Sequence, residues 1–123
     1  MFEKKTIAKS ILVADDEKDT CLFIKRILER RKYKVSLAYD GTEAQKLLEK
    51  NQFNFAFLDC SMPGLAGFEL IKVVREKNPQ AKVFIFSGYA AINDRLANDL
   101  GADEFLQKPL SVERIEEILK KYD

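Results

Sequence analysis

The segment that decides the fold is Phe55-Ala56-Phe57-Leu58-Asp59-Cys60-Ser61-Met62-Pro63-Gly64. It opens on an apolar run that is too short for an ordinary helix and therefore predicts a strand buried on both faces. The run stops at the carboxylate of Asp59, and Pro63-Gly64 predicts a turn after it. Because the carboxyl ends of strands line the ligand crevice of an open α/β sheet, Asp59 is a candidate site residue. The alternative is an Asp that ends a strand and hydrogen-bonds its own turn.

Four more short runs predict strands, at residues 11–14, 35–39, 83–86 and 104–106. Each predicted strand is followed by apolar residues at helical spacing. The members of the five predicted helices are Cys21, Ile24 and Leu28; Ala44, Leu47 and Leu48; Phe68, Ile71 and Val74; Ile92, Leu96 and Leu100; and Val112, Ile115, Ile118, Leu119 and Tyr122. Asp40 and Ser111 are predicted N-caps, and Gly101 is a predicted left-handed cap.

The alternation of five strands with five helices predicts an α/β protein with a doubly wound, five-stranded parallel sheet and helices on both faces. The length of 123 residues suits one domain with a buried core. We therefore expect a single domain over residues 1–123. The sequence ends directly after the last predicted helix, as a stand-alone domain or a piece of a larger protein would.

The composition is that of a globular protein, with 46% hydrophobic and 33% charged residues. The 21 basic and 20 acidic residues nearly cancel, so direct binding to nucleic acid is not expected. One basic cluster could touch phosphates but is interpreted as a solvated face and a cationic helix end. It comprises Lys25, Arg26, Arg30, Arg31, Lys32 and Lys34.

Several classes of protein are excluded by what the sequence lacks. It has no His, which argues against a zinc site, a His general base and a phospho-histidine relay. Cys21 and Cys60 are too few for a disulfide framework. Residues 1–10 do not form a secretory signal, and no apolar run approaches the length of a membrane span. We therefore expect a cytoplasmic protein with no membrane partner.

Polar groups end four of the five predicted strands, namely Asp15 with Asp16, Asp59, Ser87 and Lys108. Parallel strands bring these ends to one edge, where three carboxylates raise one another's pKa or require a cation. Hard oxygen ligands suit Mg²⁺. An Asp beside such a metal and a Lys is a candidate nucleophile that forms an aspartyl phosphate.

The order of these parts resembles the receiver domain of bacterial two-component response regulators. The matching pieces are Asp15-Asp16, the segment from Leu58 to Gly64, Ser87-Gly88, Phe105-Leu106-Gln107-Lys108-Pro109, and the turns at Asp40-Gly41 and Leu100-Gly101-Ala102-Asp103. The resemblance runs from about Ile11 to Tyr122 and implies a flavodoxin-like strand order, 2-1-3-4-5.

The resemblance implies a phosphorylation-dependent signalling switch. Asp59 would accept a phosphoryl group, in a Mg²⁺-dependent transfer, from a phospho-histidine on a sensor histidine kinase or phosphotransfer protein. The metal ligands would be Asp59, Asp16 directly, Asp15 through water, and the backbone carbonyl of Ser61. Lys108 would pair with a phosphoryl oxygen.

The resemblance also implies how the signal spreads. Ser87 would hydrogen-bond a second phosphoryl oxygen, and Phe105 would swing toward the vacated space, so that these two form the switch. The surface around the fourth predicted helix, the fifth strand and the last helix would then change for an unidentified downstream target. The peptide bond between Lys108 and Pro109 would be cis.

Two positions are expected to govern the lifetime of the phosphoryl group. In the family, side chains two places after the acceptor and two after the switch hydroxyl flank the path of the attacking water; here they are Ser61 and Tyr89. Ser61 is short and Tyr89 is large, so we expect slow self-dephosphorylation and a regulatory domain rather than an enzyme.

Other interpretations remain open at this point. Ser87 could satisfy backbone at a strand end, Lys108 could be a solvated charge, and Phe105 is expected in the core of any such sheet. A flavin module or P-loop NTPase would need a phosphate loop where this chain is acidic. The closest rival is a Mg²⁺-dependent phosphohydrolase with an Asp nucleophile. In that class a second Asp usually follows the nucleophile by two residues, whereas Asp16-Glu17 follows Asp15.

Overall fold

The computed structural model describes residues 8–60, 67–88 and 98–123. Its five strands are β1 (Ser10–Ala14), β2 (Lys34–Ala38), β3 (Phe55–Asp59), β4 (Lys82–Ser87) and β5 (Glu104–Gln107). Its helices are α1 (Lys18–Arg30), α2 (Gly41–Lys50), α3 (Gly67–Lys77) and α4 (Val112–Tyr122). The strands form one parallel sheet in the order β2-β1-β3-β4-β5. The predicted fold class and strand order are confirmed.

Two apolar layers cover the two faces of this sheet. Alternate side chains of each strand point to opposite faces, so one strand feeds both layers. One layer joins the sheet to α1 and α4 through Phe57, Phe84, Ile24 and Ile118. The other layer joins it to α2 and α3 and includes Leu58, Ile85, Leu48, Ile71 and Val74. All five residues of β3 are buried. A polar side chain at the carboxyl end of this strand therefore needs a hydrogen-bond or ion-pair partner.

The helix starts follow local side-chain chemistry. The Asp40 side chain accepts a hydrogen bond from the backbone N–H of Glu43, and Ser111 accepts one from that of Arg114. Glu43 reaches back past the cap to the backbone N–H of Tyr39, at 2.8 Å. The predicted N-caps are therefore confirmed, with a capping box displaced by one residue.

Gly101 marks the turn before β5. Its φ of +98° lies in the left-handed region, where an L side chain is strained, and this confirms the predicted cap. The fourth predicted helix falls mostly outside the described residues, which exclude Ile92 and Leu96. Of its other members, Leu100 lies in the turn and is exposed. The turn at Pro63-Gly64 also lies outside the described residues.

The fold thus gathers the carboxyl ends of β1, β3, β4 and β5 along one edge. In register, Ala14 lies beside Leu58 and Asp59 lies beside Phe86. This places the residues that follow β1 next to the end of β3.

In the part of the chain that is described, the helices are all too short or too polar to cross a bilayer.

Candidate phosphoryl-acceptor site

Three carboxylates meet at the carboxyl edge of the sheet. Asp15 and Asp16 follow β1, and Asp59 is the last residue of β3. One ligand atom from each of the three lies within 4.8 Å of the others. Asp15 is fully buried and Asp59 is 3% exposed, whereas Asp16 is exposed. The site is therefore a partly closed acidic crevice with one open side.

Lys108 brings the positive charge to this crevice. It follows β5, and its backbone N–H donates to the carbonyl of Ser87 at 2.9 Å. Its Nζ atom lies 3.0 Å from Asp15 Oδ2 and 3.4 Å from Asp59 Oδ2. The peptide bond between Lys108 and Pro109 is cis, the form that the resemblance implied. The two elements that carry the acidic pair and the acceptor are thus joined through one ammonium group.

Asp15 is the most constrained of the three acids. Its Oδ1 atom accepts the backbone N–H of Glu17 at 2.9 Å. Its Oδ2 atom forms an ion pair with Lys108 at 3.0 Å, but among the described residues no hydrogen bond is made to this buried oxygen. Burial raises the pKa of Asp15, and the charge of Asp59 adds to the shift, although Glu17 and Lys108 oppose it.

Asp16 and Lys108 respond to the same crowding. Desolvation raises the pKa of Asp16, and its neighbour Asp15 raises it further. Burial alone would lower the pKa of Lys108, but its hydrogen bond to Glu17 and its contacts with Asp15 and Asp59 outweigh that effect and raise it. The ammonium is therefore held charged, while the acids repel one another.

The residues present fit a divalent cation bound by oxygen. Three carboxylates share one small volume, and one Lys supplies a single positive charge against them. The unsatisfied Oδ2 of Asp15 is a further sign that the crevice has acceptors in excess of donors. Carboxylate oxygens with room for water are the ligands that Mg²⁺ takes in proteins.

Ser87 and Phe105 lie on the neighbouring strands β4 and β5. Ser87 ends β4, is buried, and lies in register with Gln107 of β5. Phe105 lies in register with Ile85 and packs in the layer that faces α2 and α3, which also contains Cys60. Ser87 therefore lies at the carboxyl edge of the sheet and Phe105 in an apolar layer, and their roles as a switch stay a prediction. Ser61 and Tyr89 lie outside the described residues.

Glu17 is the site residue that sequence reasoning did not single out. Its Oε1 atom accepts a hydrogen bond from Lys108 Nζ at 2.9 Å, which is shorter than the contact of Lys108 with Asp59. The only available signal was a third acidic residue directly after Asp15-Asp16. The contact of Glu17 with Lys108, which follows β5, depends on the conformation of two long side chains, and the spacing of apolar residues does not predict that conformation.

Cys60 follows the acceptor position but is unsuited to redox chemistry. It is buried in the apolar layer, and burial together with the charge of Asp59 raises the pKa of its thiol to about 12. A thiol that stays protonated at neutral pH is a poor nucleophile.

Comparison with known proteins gives one consistent result. The family model described as "Response regulator receiver domain" matches residues 11–120. Among curated proteins, response regulator GtcR of Aneurinibacillus migulanus is 36% identical over 106 residues, which are 85% of this chain and 43% of that protein. The chain spans about half the length of the curated relatives it matches.

Two solved structures are similar in fold and in sequence. A response regulator from Burkholderia pseudomallei, solved with a phosphorylated aspartic acid and a calcium ion, is 32% identical, with a TM-score of 0.77 and coverage of 92% of this chain and 72% of that one. The response regulator TrrA of Thermotoga maritima, in complex with Mg²⁺-BeF, is 30% identical, with a TM-score of 0.81 and coverage of 94% and 99%.

Proposed function

Because the chain belongs to the family of response regulator receiver domains, the phosphorylation-dependent switches of two-component signalling, we propose that Asp59 is its phosphoryl acceptor. The observation that carries this proposal is the position of Lys108, whose Nζ lies 3.4 Å from Asp59 Oδ2 inside the acidic crevice. A strand-end carboxylate with a cation at this distance is suited to hold an anionic group.

The proposed reaction moves one phosphoryl group between two protein side chains. A carboxylate oxygen of Asp59 attacks the phosphorus of a phospho-histidine on a sensor kinase or phosphotransfer protein. The bond from phosphorus to the imidazole nitrogen breaks, and the imidazole leaves with the bonding electron pair. This chain has no His of its own, so the donor is another protein or a small acyl phosphate.

The residues around Asp59 have separate roles in this proposal. Lys108 pairs with one phosphoryl oxygen and fixes its direction, while the hydroxyl of Ser87 donates a hydrogen bond to another. Ser87 ends β4, which adjoins β3, and Lys108 directly follows β5, which lies next to β4. Little rearrangement of the backbone is therefore needed. Such preorganised donors are the main contribution of proteins to phosphoryl transfer.

The same crevice is proposed to hold Mg²⁺, through Asp16 and Asp59 directly, Asp15 through water, and the backbone carbonyl of Ser61. When bound, the ion supplies positive charge that offsets the negative charge of the phosphoryl oxygens. The role of Asp15 fits its burial, because one oxygen accepts the backbone N–H of Glu17 and the other lies in an ion pair with Lys108. Asp16 is exposed and can turn toward an ion.

The output is proposed to be a change of surface rather than a product. Ser87 would draw in the residues after β4, and Phe105 would repack on the face toward α3, altering the surface near β5 and α4 for a downstream target. Any hydrolysis of the phosphoryl group by the domain itself would be slow. Because the donor kinase draws its phosphoryl group from ATP, we place the protein in the cytoplasm.

The test is phosphoryl incorporation measured by intact mass, with a small acyl phosphate and with a phosphorylated histidine phosphotransfer protein as donors. We expect one phosphoryl group on the wild-type protein and on the control Asp19→Asn, and none after chelation of Mg²⁺. Asp59→Asn should stay unlabelled. Full labelling of Asp59→Asn would contradict the proposal, and rapid turnover of a generic phosphomonoester would favour the phosphohydrolase instead.

A further inference from the structure

Glu17 occupies the N-cap of α1 but does not cap that helix. Its backbone is extended, with φ −89° and ψ 111°, and its side chain makes no capping hydrogen bond. Ser, Thr, Asp and Asn are the residues that stabilise this position, because their short side chains reach the free N–H groups of the first turn. The carboxylate of Glu17 instead extends across the crevice to Lys108.

Lys108 is therefore shared among three carboxylates. Its Nζ lies 2.9 Å from Glu17, 3.0 Å from Asp15 and 3.4 Å from Asp59. An ammonium has three N–H donors and makes its strongest bonds along them. The oxygen of Glu17 lies closer to this ammonium than the oxygen of Asp59 does. The ring of Phe86 lies beneath the ammonium, with 5.5 Å from Nζ to the ring centre.

Lys108 Nζ donates hydrogen bonds to both Glu17 and Asp59. We propose that Glu17 is a positioning residue that competes with Asp59 for this ammonium and must release it when Asp59 is phosphorylated. This inference rests on the proposed function of Asp59. A phosphoryl group adds negative charge and oxygen acceptors at Asp59, and it competes with Glu17 for the same ammonium. The ion pair therefore stabilises the unphosphorylated protein and opposes phosphorylation.

The surroundings of this ion pair leave room for the release. A cavity of about 500 Å³ lies between the start of α1 and the residues that follow β5. It is lined by Glu17, Asp19, Thr20, Phe23, Lys108, Pro109 and Leu110. The Glu17 side chain is 64% exposed, so after release it can pass into water at little cost, whereas the Lys108 side chain is 20% exposed and stays in the crevice.

The inference predicts faster phosphorylation when the carboxylate is removed. In Glu17→Gln, the rate of phosphoryl incorporation at Asp59 from a small acyl phosphate should rise by about two- to fivefold, as expected for one partly exposed ion pair. Asp19→Asn is the matched control, since it removes the same charge from the same cavity wall. Among the described ion pairs, none joins Asp19 to Lys108. Its rate should equal that of the wild-type protein.

Two further variants separate positioning from a simple effect of charge. Glu17→Asp keeps the charge but is one methylene shorter, so it should behave like Glu17→Gln if the contact with Lys108 is what matters. In a Lys108→Ala background the substitution Glu17→Gln should have no effect, because Glu17 would act only through Lys108. An effect that persists there would contradict the proposal.

A second measurement needs no phosphorylation and no metal. In chelator, the Nζ resonance of Lys108 in proton–nitrogen spectra should move in Glu17→Gln and stay unchanged in Asp19→Asn. An unchanged resonance in Glu17→Gln, or equal phosphorylation rates in Glu17→Gln and Asp19→Asn, would overturn the role of Glu17. A wild-type protein that gains no phosphoryl group at Asp59 would instead contradict the proposed function.

Discussion

The Oδ2 atom of Asp15 lies 3.0 Å from the Nζ atom of Lys108, deep in a crevice where Asp15 is fully buried. The other oxygen of Asp15 accepts the backbone N–H of Glu17. Its neighbour Asp16 is exposed. One member of the acidic pair is thus bound into the protein, and the other can bind a ligand from solvent.

The first prediction concerns the affinity for Mg²⁺. Asp16→Asn should weaken binding by about tenfold or more, because a direct carboxylate ligand is lost. Asp15→Asn should weaken it less, because that side chain is held by Lys108 and Glu17 and would meet the ion only through water. Titration calorimetry with Mg²⁺ on both variants compares them. Equal losses, or a greater loss for Asp15→Asn, would show that the two assignments are reversed.

The second prediction concerns stability without metal. Asp59→Asn should raise the free energy of unfolding in chelator at neutral pH by roughly 1 kcal/mol, because it relieves repulsion among crowded carboxylates. Lys108 still retains Asp15 and Glu17 as partners in that variant. Asp16→Asn should act in the same direction.

Urea denaturation measures this change, with Asp19→Asn as the control. Asp19 lies in the first turn of α1, where its charge favours the helix dipole, so its removal should bring no gain. If neither Asp59→Asn nor Asp16→Asn is more stable than the wild-type protein, the three acids do not repel one another appreciably.

Much of the fold followed from the sequence, because every strand of the sheet is marked by a short apolar run and four of the helices by apolar spacing. The buried run at β3 and the polar residues that end the strands also predicted where Asp15, Asp59 and Lys108 would meet. Topology alone places these groups, since parallel strands share one carboxyl edge.

The remaining features depend on side-chain reach, which sequence spacing does not fix. Glu17 was noted only as the residue that follows Asp16, yet it accepts a hydrogen bond from Lys108 at 2.9 Å. Arg75 was not singled out at all, yet it bonds Asp103 at 3.0 Å and the carbonyl of Gly101 at 2.7 Å, tying α3 to the turn before β5. Long flexible side chains can reach several partners, so their choice appears only in three dimensions.

The third prediction concerns acid stability at the end of β5. Partial burial raises the pKa of Glu104, but hydrogen bonds from Lys121, Tyr122 and Arg114 outweigh it and lower the pKa. A lowered pKa means that the contribution to stability is present above the ordinary pKa of a glutamate and disappears as pH falls through the lowered value.

Glu104→Gln should therefore lower the free energy of unfolding by about 1 kcal/mol at neutral pH. This difference in stability from the wild-type protein should become smaller in acid. The matched control is Glu117→Gln, which also removes a carboxylate partner of Arg114 but at a side chain that is 71% exposed. Urea melts over a series of pH values give both results. A difference that is constant with pH would mean that the ionised form of Glu104 is not the stabilising one.

The fourth prediction concerns the lifetime of the phosphoryl group. The residues that flank the expected path of water are the short Ser61 and the large Tyr89, both outside the described residues. Tyr89→Ala should open that path, and Ser61→Asn should place an amide that can hold the water, so each should speed decay by at least about threefold. The decay is followed by intact mass after removal of the donor. Unchanged decay in both variants would mean that other residues set the lifetime.

The central claim is that Asp59 alone accepts the phosphoryl group, and peptide mapping tests it most directly. The protein is phosphorylated with an acyl phosphate and Mg²⁺, digested, and analysed by mass spectrometry with and without hydroxylamine, which cleaves acyl phosphates. The account predicts one hydroxylamine-sensitive adduct, on the peptide that contains Asp59, and its absence from Asp59→Asn. An adduct on Asp15 or Asp16, or an undiminished adduct in Asp59→Asn, would contradict it.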